Sequence, residues 1–185
     1  MSAKGREMYL EKQTQDGLKR VFAIMSNPTS GKIGFEDLFA TLNELGYRVK
    51  PTEIEEMIWE VDEDCDKAVS WPEFVEMYDR CRKDKTGYEP KRLFNIVDFM
   101  LIDKDNSGHI SVEEATQQLY LQYGKARLDE MLQGLFGSEE INVDDTLNLH
   151  QYATKMHELQ YQQIREKSHR VTKASSNTLK RRTKV

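Results

Sequence analysis

One twelve-residue stretch constrains this chain more than any other. In Asp103-Lys-Asp-Asn-Ser-Gly-His-Ile-Ser-Val-Glu-Glu114, oxygen-bearing side chains fall at positions 1, 3, 5 and 9, a glycine at 6, an apolar residue at 8 and a glutamate at 12. Alternate residues of a short loop point inward, so this spacing aims several oxygens at one point. A glycine at position 6 permits the sharp turn such a loop needs, and a glutamate on the outgoing helix can close the shell with both oxygens. The pattern suits a hard divalent cation of the size of Ca²⁺, which takes six to eight oxygen ligands. The predicted ligands are Asp103, Asp105, Ser107, the His109 carbonyl, Ser111 through a water, and Glu114. Three carboxylates in that set point to moderate, sensor-range affinity.

The same template recurs along the chain, which is the signature of a repeated structural unit. Its starts fall at residues 26, 62, 103 and 140, spaced by 36, 41 and 37 residues, so two near-equal intervals bracket a longer one. Asp62–Glu73 offers Asp62, Asp64, Asp66, the Ala68 carbonyl, Ser70 and Glu73, but places Lys67 where glycine is wanted. Occupancy of this second loop by Ca²⁺, or by Mg²⁺ instead, stays open at this stage. Ser26–Asp37 keeps Gly31 at position 6 and Ile33 at 8, yet has Pro28 at position 3 and the shorter Asp37 at 12. Glu140–Gln151 keeps Leu147 at position 8 but ends on Gln151, a neutral side chain. Neither the first nor the fourth loop is expected to hold calcium.

Helical periodicity flanks each loop. Leu18, Val21, Phe22 and Met25 precede the first, and Phe35, Leu38, Phe39, Leu42 and Leu45 follow it, with Gly46 as a stop. Thr52 and Glu55 have the spacing of a capping box before Ile54, Met57, Ile58 and Val61. Ser70 with Glu73 and Ser111 with Glu114 have the same spacing, so loop positions 9 and 12 double as helix caps. Leu93, Phe94, Val97 and Leu101 mark the helix into the third loop, and Leu128, Met131, Leu132 and Leu135 the helix into the fourth. Position 8 predicts short antiparallel pairings, Ile33 with Val69 and Ile110 with Leu147. Met25, Met57, Met77, Met100, Met131 and Met156 lie on these helices, where they suit either a partner-binding groove or ordinary core.

These residues make the chain resemble the EF-hand superfamily, in the four-hand arrangement of calmodulin and troponin C, over roughly residues 8–158. The resemblance implies an all-α fold of two EF-hand pairs with short β pairing between loops. The expected division is an N-terminal pair over 1–84, a linker over 85–90, a C-terminal pair over 91–160 and a basic tail over 161–185. It further implies a calcium-binding regulatory or adaptor subunit that grips a protein partner helix or coiled coil within a larger assembly. The degenerate loops are similar to those of EF-hand subunits of ciliary and flagellar axonemes.

Charge adds a second feature. The chain of 185 residues carries a formal −5. Residues 158–185 hold eight Lys or Arg against two acids, a net +6, which leaves −11 on the rest. The acidic body fits cation-binding loops, and the tail is a candidate anchor on an acidic surface such as tubulin. Nucleic acid is a weaker expectation for a body this acidic. No apolar run approaches the length of a membrane span, and the N-terminal MSAKGREM shows neither a signal-peptide core nor the glycine needed for myristoylation. Two cysteines suit a cytoplasmic location and no disulfide scaffold. No nucleophile triad, phosphate loop or dinucleotide motif stands out, so the expectation is a non-enzyme.

Overall fold

The computed structural model describes residues 3–84, 86, 89–137, 140–159 and 165. The basic tail falls almost wholly outside the described residues. Helices and loops alternate as four helix–loop–helix units. Helix α1 (Ala3–Met25) and α2 (Phe35–Glu44) flank the first loop, and α3 (Pro51–Trp59) and α4 (Trp71–Lys83) the second. Helix α5 (Arg92–Ile102) runs into the third loop, strand β1 (His109–Ser111) and α6 (Val112–Tyr123). Helix α7 (Lys125–Phe136) and strand β2 (Thr146–Asn148) lead to a last helix, α8, over residues 149–159.

The loops pair as their position-8 residues predict. Ile110 faces Leu147 in an antiparallel β1–β2 ribbon, and Ile33 forms an isolated bridge with Val69. All four side chains are buried, so each pair of loops is stitched by backbone hydrogen bonds over an apolar floor.

Helix boundaries follow local chemistry. Leu45 caps α2, and Gly46 at φ +67 turns the chain so that Tyr47 N–H donates to Leu42 O at 2.8 Å. Without a Cβ, glycine takes this left-handed conformation at little cost. The capping box expected at Thr52 and Glu55 is displaced. Helix α3 begins two residues earlier, with Lys50 as N-cap and Glu53 Oε2 accepting from Lys50 N at 2.9 Å. The reason is Pro51, whose fixed φ suits the first helical position and needs no N–H partner there.

Helix α5 departs most from a one-sided amphipathic helix. Leu93, Phe94, Val97 and Leu101 are buried as the periodicity predicts, but so are Ile96, Phe99, Met100 and Ile102. Only the line of Arg92, Asn95 and Asp98 interrupts its apolar surface, because the helix serves both pairs of hands. Toward the N-terminal pair, Phe94 packs against Phe74 and Tyr78, each with ring centroids 5.7 Å apart. Phe74 continues this aromatic file to Phe22 of α1 at 5.2 Å. Toward the C-terminal pair, Phe99 meets Tyr152 of α8 edge-on at 5.7 Å. Edge-to-face contacts of this kind add about 0.5–1.5 kcal/mol each beyond the area they bury.

Polar contacts tie the same seam. Tyr78 O–H donates to Asp98 Oδ1 at 2.9 Å. Arg20 of α1 donates to Met100 O at 2.5 Å and to Asn106 Oδ1 at 3.0 Å. It thereby caps open carbonyls at the end of α5 and holds the third loop. Met25, Met57, Met77 and Met100 are buried in this core, and Met131 and Met156 pack against its edge. For the first four, packing within the chain takes the place of an open groove.

Candidate metal centre

In the third loop the oxygens converge. Asp103, Asp105 and Glu114 bring carboxylate oxygens within 4.8 Å of one another. Asp103 sits at the C-cap of α5 and is only 2% exposed. Its two oxygens accept from Ser107 N at 3.0 Å and Gly108 N at 2.9 Å, which folds the loop around it. Asp105 Oδ1 accepts a second bond from Ser107 N at 3.0 Å. Gly108 takes φ +77 and Asn106 φ +56, the two left-handed residues that reverse the chain.

Glu114 is held from two directions. Its Oε1 accepts from Lys104 N at 3.0 Å, and its Oε2 from Ser111 N at 3.1 Å and Ser111 Oγ at 2.8 Å. Ser111 Oγ in turn accepts from Glu114 N at 3.3 Å, completing the predicted capping box at the start of α6. Ser107 Oγ donates to the His109 carbonyl at 3.0 Å, so positions 5 and 7 also lie together.

The acids at positions 1 and 3 sit in opposed environments. Burial pushes the Asp103 carboxyl above its ordinary value, while hydrogen bonds from Ser107 hold Asp105 below its own. The donor set is all oxygen, hard and three-fold anionic, which fits Ca²⁺ and does not fit a soft or nitrogen-seeking metal.

The second loop copies the backbone of the third at its reversals. Cys65 at position 4 and Lys67 at position 6 adopt φ +60 and φ +68, matching Asn106 and Gly108. Lys67 therefore makes the turn despite its side chain, at a conformational cost of roughly 1–2 kcal/mol. Asp62, Asp64 and Asp66 form the converging set here. Asp62 accepts from Asp66 N at 3.2 Å and Lys67 N at 2.8 Å, and Asp66 Oδ1 from Ala68 N at 3.0 Å. Glu73 Oε1 is bound to Glu63 N at 2.9 Å, and its Oε2 to Ser70 N at 2.8 Å. Burial pushes Glu73 up, but bonds from Ser70, Glu63 and Asp64 outweigh it and leave the carboxyl below its usual range.

The other two loops are closed by their own side chains. In the first, Asn27 Nδ2 donates to Asp37 Oδ1 at 3.2 Å while Asp37 Oδ2 accepts from Gly34 N at 3.0 Å. An amide thus occupies the place of an ion at position 12. In the fourth, Gln151 Oε1 accepts from Asn148 N, and Gln151 N donates to Asn148 Oδ1, both at 2.9 Å. Asp145 Oδ2 accepts from Asn142 N at 2.8 Å. Among the described residues no converging cluster of acids forms in either loop.

Three residues that shape these loops carry no ligand signature and were not marked by the template: Asn27, Arg20 and Lys32. Lys32 extends from the first loop into the acids of the second, with its ammonium in contact with Asp66 Oδ2 and 3.7 Å from Asp64 Oδ2. Only the pairing of position 8 residues, which fixes the two loops side by side, hints at such a reach.

Comparison with known proteins agrees with this architecture. The family described as an EF-hand domain pair matches residues 15–79. The probable calcium-binding protein CML8 of Oryza sativa subsp. japonica is 31% identical over 136 residues, 73% of this chain and 69% of that protein. The probable calcium-binding protein CML13 of the same organism is 26% identical over 145 residues, 76% of this chain and 83% of that protein. Calcium-dependent protein kinase 19 of Arabidopsis thaliana is 28% identical over 148 residues, which is 80% of this chain but 25% of the kinase. The chain therefore spans about a quarter of the length of that kinase. On the paired loops, their capping boxes and these relatives together, the chain belongs to the EF-hand family.

Proposed function

We propose that this chain is a non-enzymatic, calcium-responsive binding protein in which the third loop takes up Ca²⁺ and thereby alters the grip of the C-terminal pair on a protein helix. The observation that carries this reading is the convergence of Asp103, Asp105 and Glu114 around a carboxylate that is itself buried. Asp103, Asp105, Ser107, the His109 carbonyl, Ser111 and Glu114 would hold the ion, which would supply the positive charge those acids lack. The names of the relatives CML8 and CML13, both probable calcium-binding proteins, support the same reading. Calcium at this loop acts on β1 and the start of α6, the elements that Glu114 joins.

Anisotropy of a labelled amphipathic helical peptide, titrated with the full chain, tests the responsive part. Affinities in calcium and in chelator differing by about fivefold or more match a coupling of at least ~1 kcal/mol and support the reading. Equal affinities favour the alternative, a calcium-independent structural adaptor. That alternative draws on the side-chain closure of the first and fourth loops and on α5 packed within both pairs. A narrower reading places the protein in the cytoplasm on a ciliary or flagellar axoneme, with tubulin bound through the tail. It draws on the net +6 of residues 158–185 and on the two degenerate loops. Co-sedimentation of the full chain with microtubules, against a variant ending at residue 160, tests it.

A further inference from the structure

The two pairs of loops share one pairing plan, and they differ in the charge at position 7 of the degenerate loop. In each pair the position-8 residues face one another: Ile33 and Val69 exchange hydrogen bonds of 2.9 Å in both directions, and Ile110 faces Leu147. The residue just before, at position 7 of the degenerate loop, is thereby carried alongside its acidic neighbour. In the C-terminal pair that residue is Thr146, opposite Ser111, and it is neutral. In the N-terminal pair it is Lys32.

Lys32 has its backbone fixed. Its N–H donates to Ser30 Oγ at 3.3 Å, and its carbonyl accepts from Asn27 N at 2.9 Å. Its ammonium meets Asp66 Oδ2 and stands 3.7 Å from Asp64 Oδ2, which are positions 5 and 3 of the second loop. One positive charge supplied by the chain itself thus already stands against two of the three carboxylates that converge there, in contact with Asp66 and farther from Asp64.

We infer that Lys32 is a tethered counter-ion that makes the second loop discriminate against calcium, so that the third loop is the selective calcium site of the molecule. The inference deepens the assignment of calcium to the third loop and takes its contrast from that reading. Two effects act in the same direction. The ammonium competes for Asp64 and Asp66 directly, and its charge repels a dication beside it. Covalent attachment through the first loop gives it a high effective concentration at this place. The first loop, which lacks a ligand set of its own, thereby keeps a role as the supplier of the charge. Lys67 cannot account for the effect on geometry alone, because it already adopts the left-handed turn that position 6 requires.

Calorimetric titration of the full chain with CaCl₂ tests this in a Glu114→Gln background, which leaves the second loop to be read. Replacement of Lys32 by Gln should raise the remaining calcium affinity by about three- to tenfold, the scale of one lost competing ion pair and its repulsion. Lys32→Arg should leave affinity low, and adding Glu73→Gln should abolish the gain. The same Lys32→Gln change should lower the melting temperature in chelator, where the acids lose their counter-charge, and raise it in millimolar calcium. An unchanged affinity in Lys32→Gln, including no heat in either protein, overturns the inference. So does an equal gain in Lys32→Arg. The third-loop assignment is judged separately, by wild type against Glu114→Gln alone.

Discussion

Replacement of Asp98 by Asn should stabilise the protein at neutral pH, and the size of the effect follows from the seam between α4 and α5. Asp98 lies on α5 and accepts from Tyr78 O–H at 2.9 Å. Burial pushes its carboxyl up from 3.8 to about 6, against the smaller opposing influence of that hydrogen bond and of Arg82 and Lys91. The folded value exceeds the unfolded one, so the folded chain binds the proton more tightly between those limits. The stabilising contribution of protonated Asp98 is fully present below about pH 4 and is lost as pH rises through about 6. At pH 7 the ionised group opposes folding by about 3 kcal/mol, from roughly two units at 1.36 kcal/mol each. Asparagine removes that opposition and retains an oxygen for Tyr78. Guanidinium unfolding in chelator should therefore show a gain of about 1–3 kcal/mol at pH 7, shrinking below about 1 kcal/mol at pH 4. Chelator keeps calcium linkage out of the comparison. Destabilisation at pH 7, or an equal gain at both pH values, refutes the reasoning.

Other expected outcomes concern the same core. Phe99→Ala removes one of the largest fully buried side chains, at the contact with Tyr152, and should cost about 3–5 kcal/mol in denaturant unfolding. Arg20→Ala frees the Met100 carbonyl and the Asn106 side chain, and should cost about 1–2 kcal/mol by the same measurement. Mass spectrometry after brief treatment with iodoacetamide should show Cys65 modified and Cys81 intact. Cys65 is exposed, whereas Cys81 is buried, donates to Pro90 O at 2.9 Å, and has its thiol pushed up to about 12.

Spacing along the chain was enough to place the loops, because a cation-binding loop imposes its geometry locally. The pairings of Ile33 with Val69 and Ile110 with Leu147, and the capping boxes at Ser70 and Ser111, follow from that local rule. The start of α3 was misplaced because Pro51 fixes it more firmly than the Thr52–Glu55 spacing does. Helix α5 carried its signal in plain view, apolar everywhere but along Arg92, Asn95 and Asp98, yet a single-stripe template reads only the half that meets one partner. Lys32 and Asn27 were invisible for a different reason. Lys32 meets Asp66 34 positions away, and a contact of that kind exists only once the two loops lie side by side. Asn27 looks like any polar loop residue until its amide is seen against Asp37.

The central claim is that the third loop is the calcium site, and calorimetric titration of the full chain with CaCl₂ tests it most directly. Wild type should show a saturable site in the sensor range of about 10⁻⁷–10⁻⁵ M or somewhat weaker, and Glu114→Gln should lose that site by tenfold or more in affinity, about 1.4 kcal/mol. No saturable binding at millimolar calcium in wild type, or an isotherm unchanged by Glu114→Gln, contradicts the account.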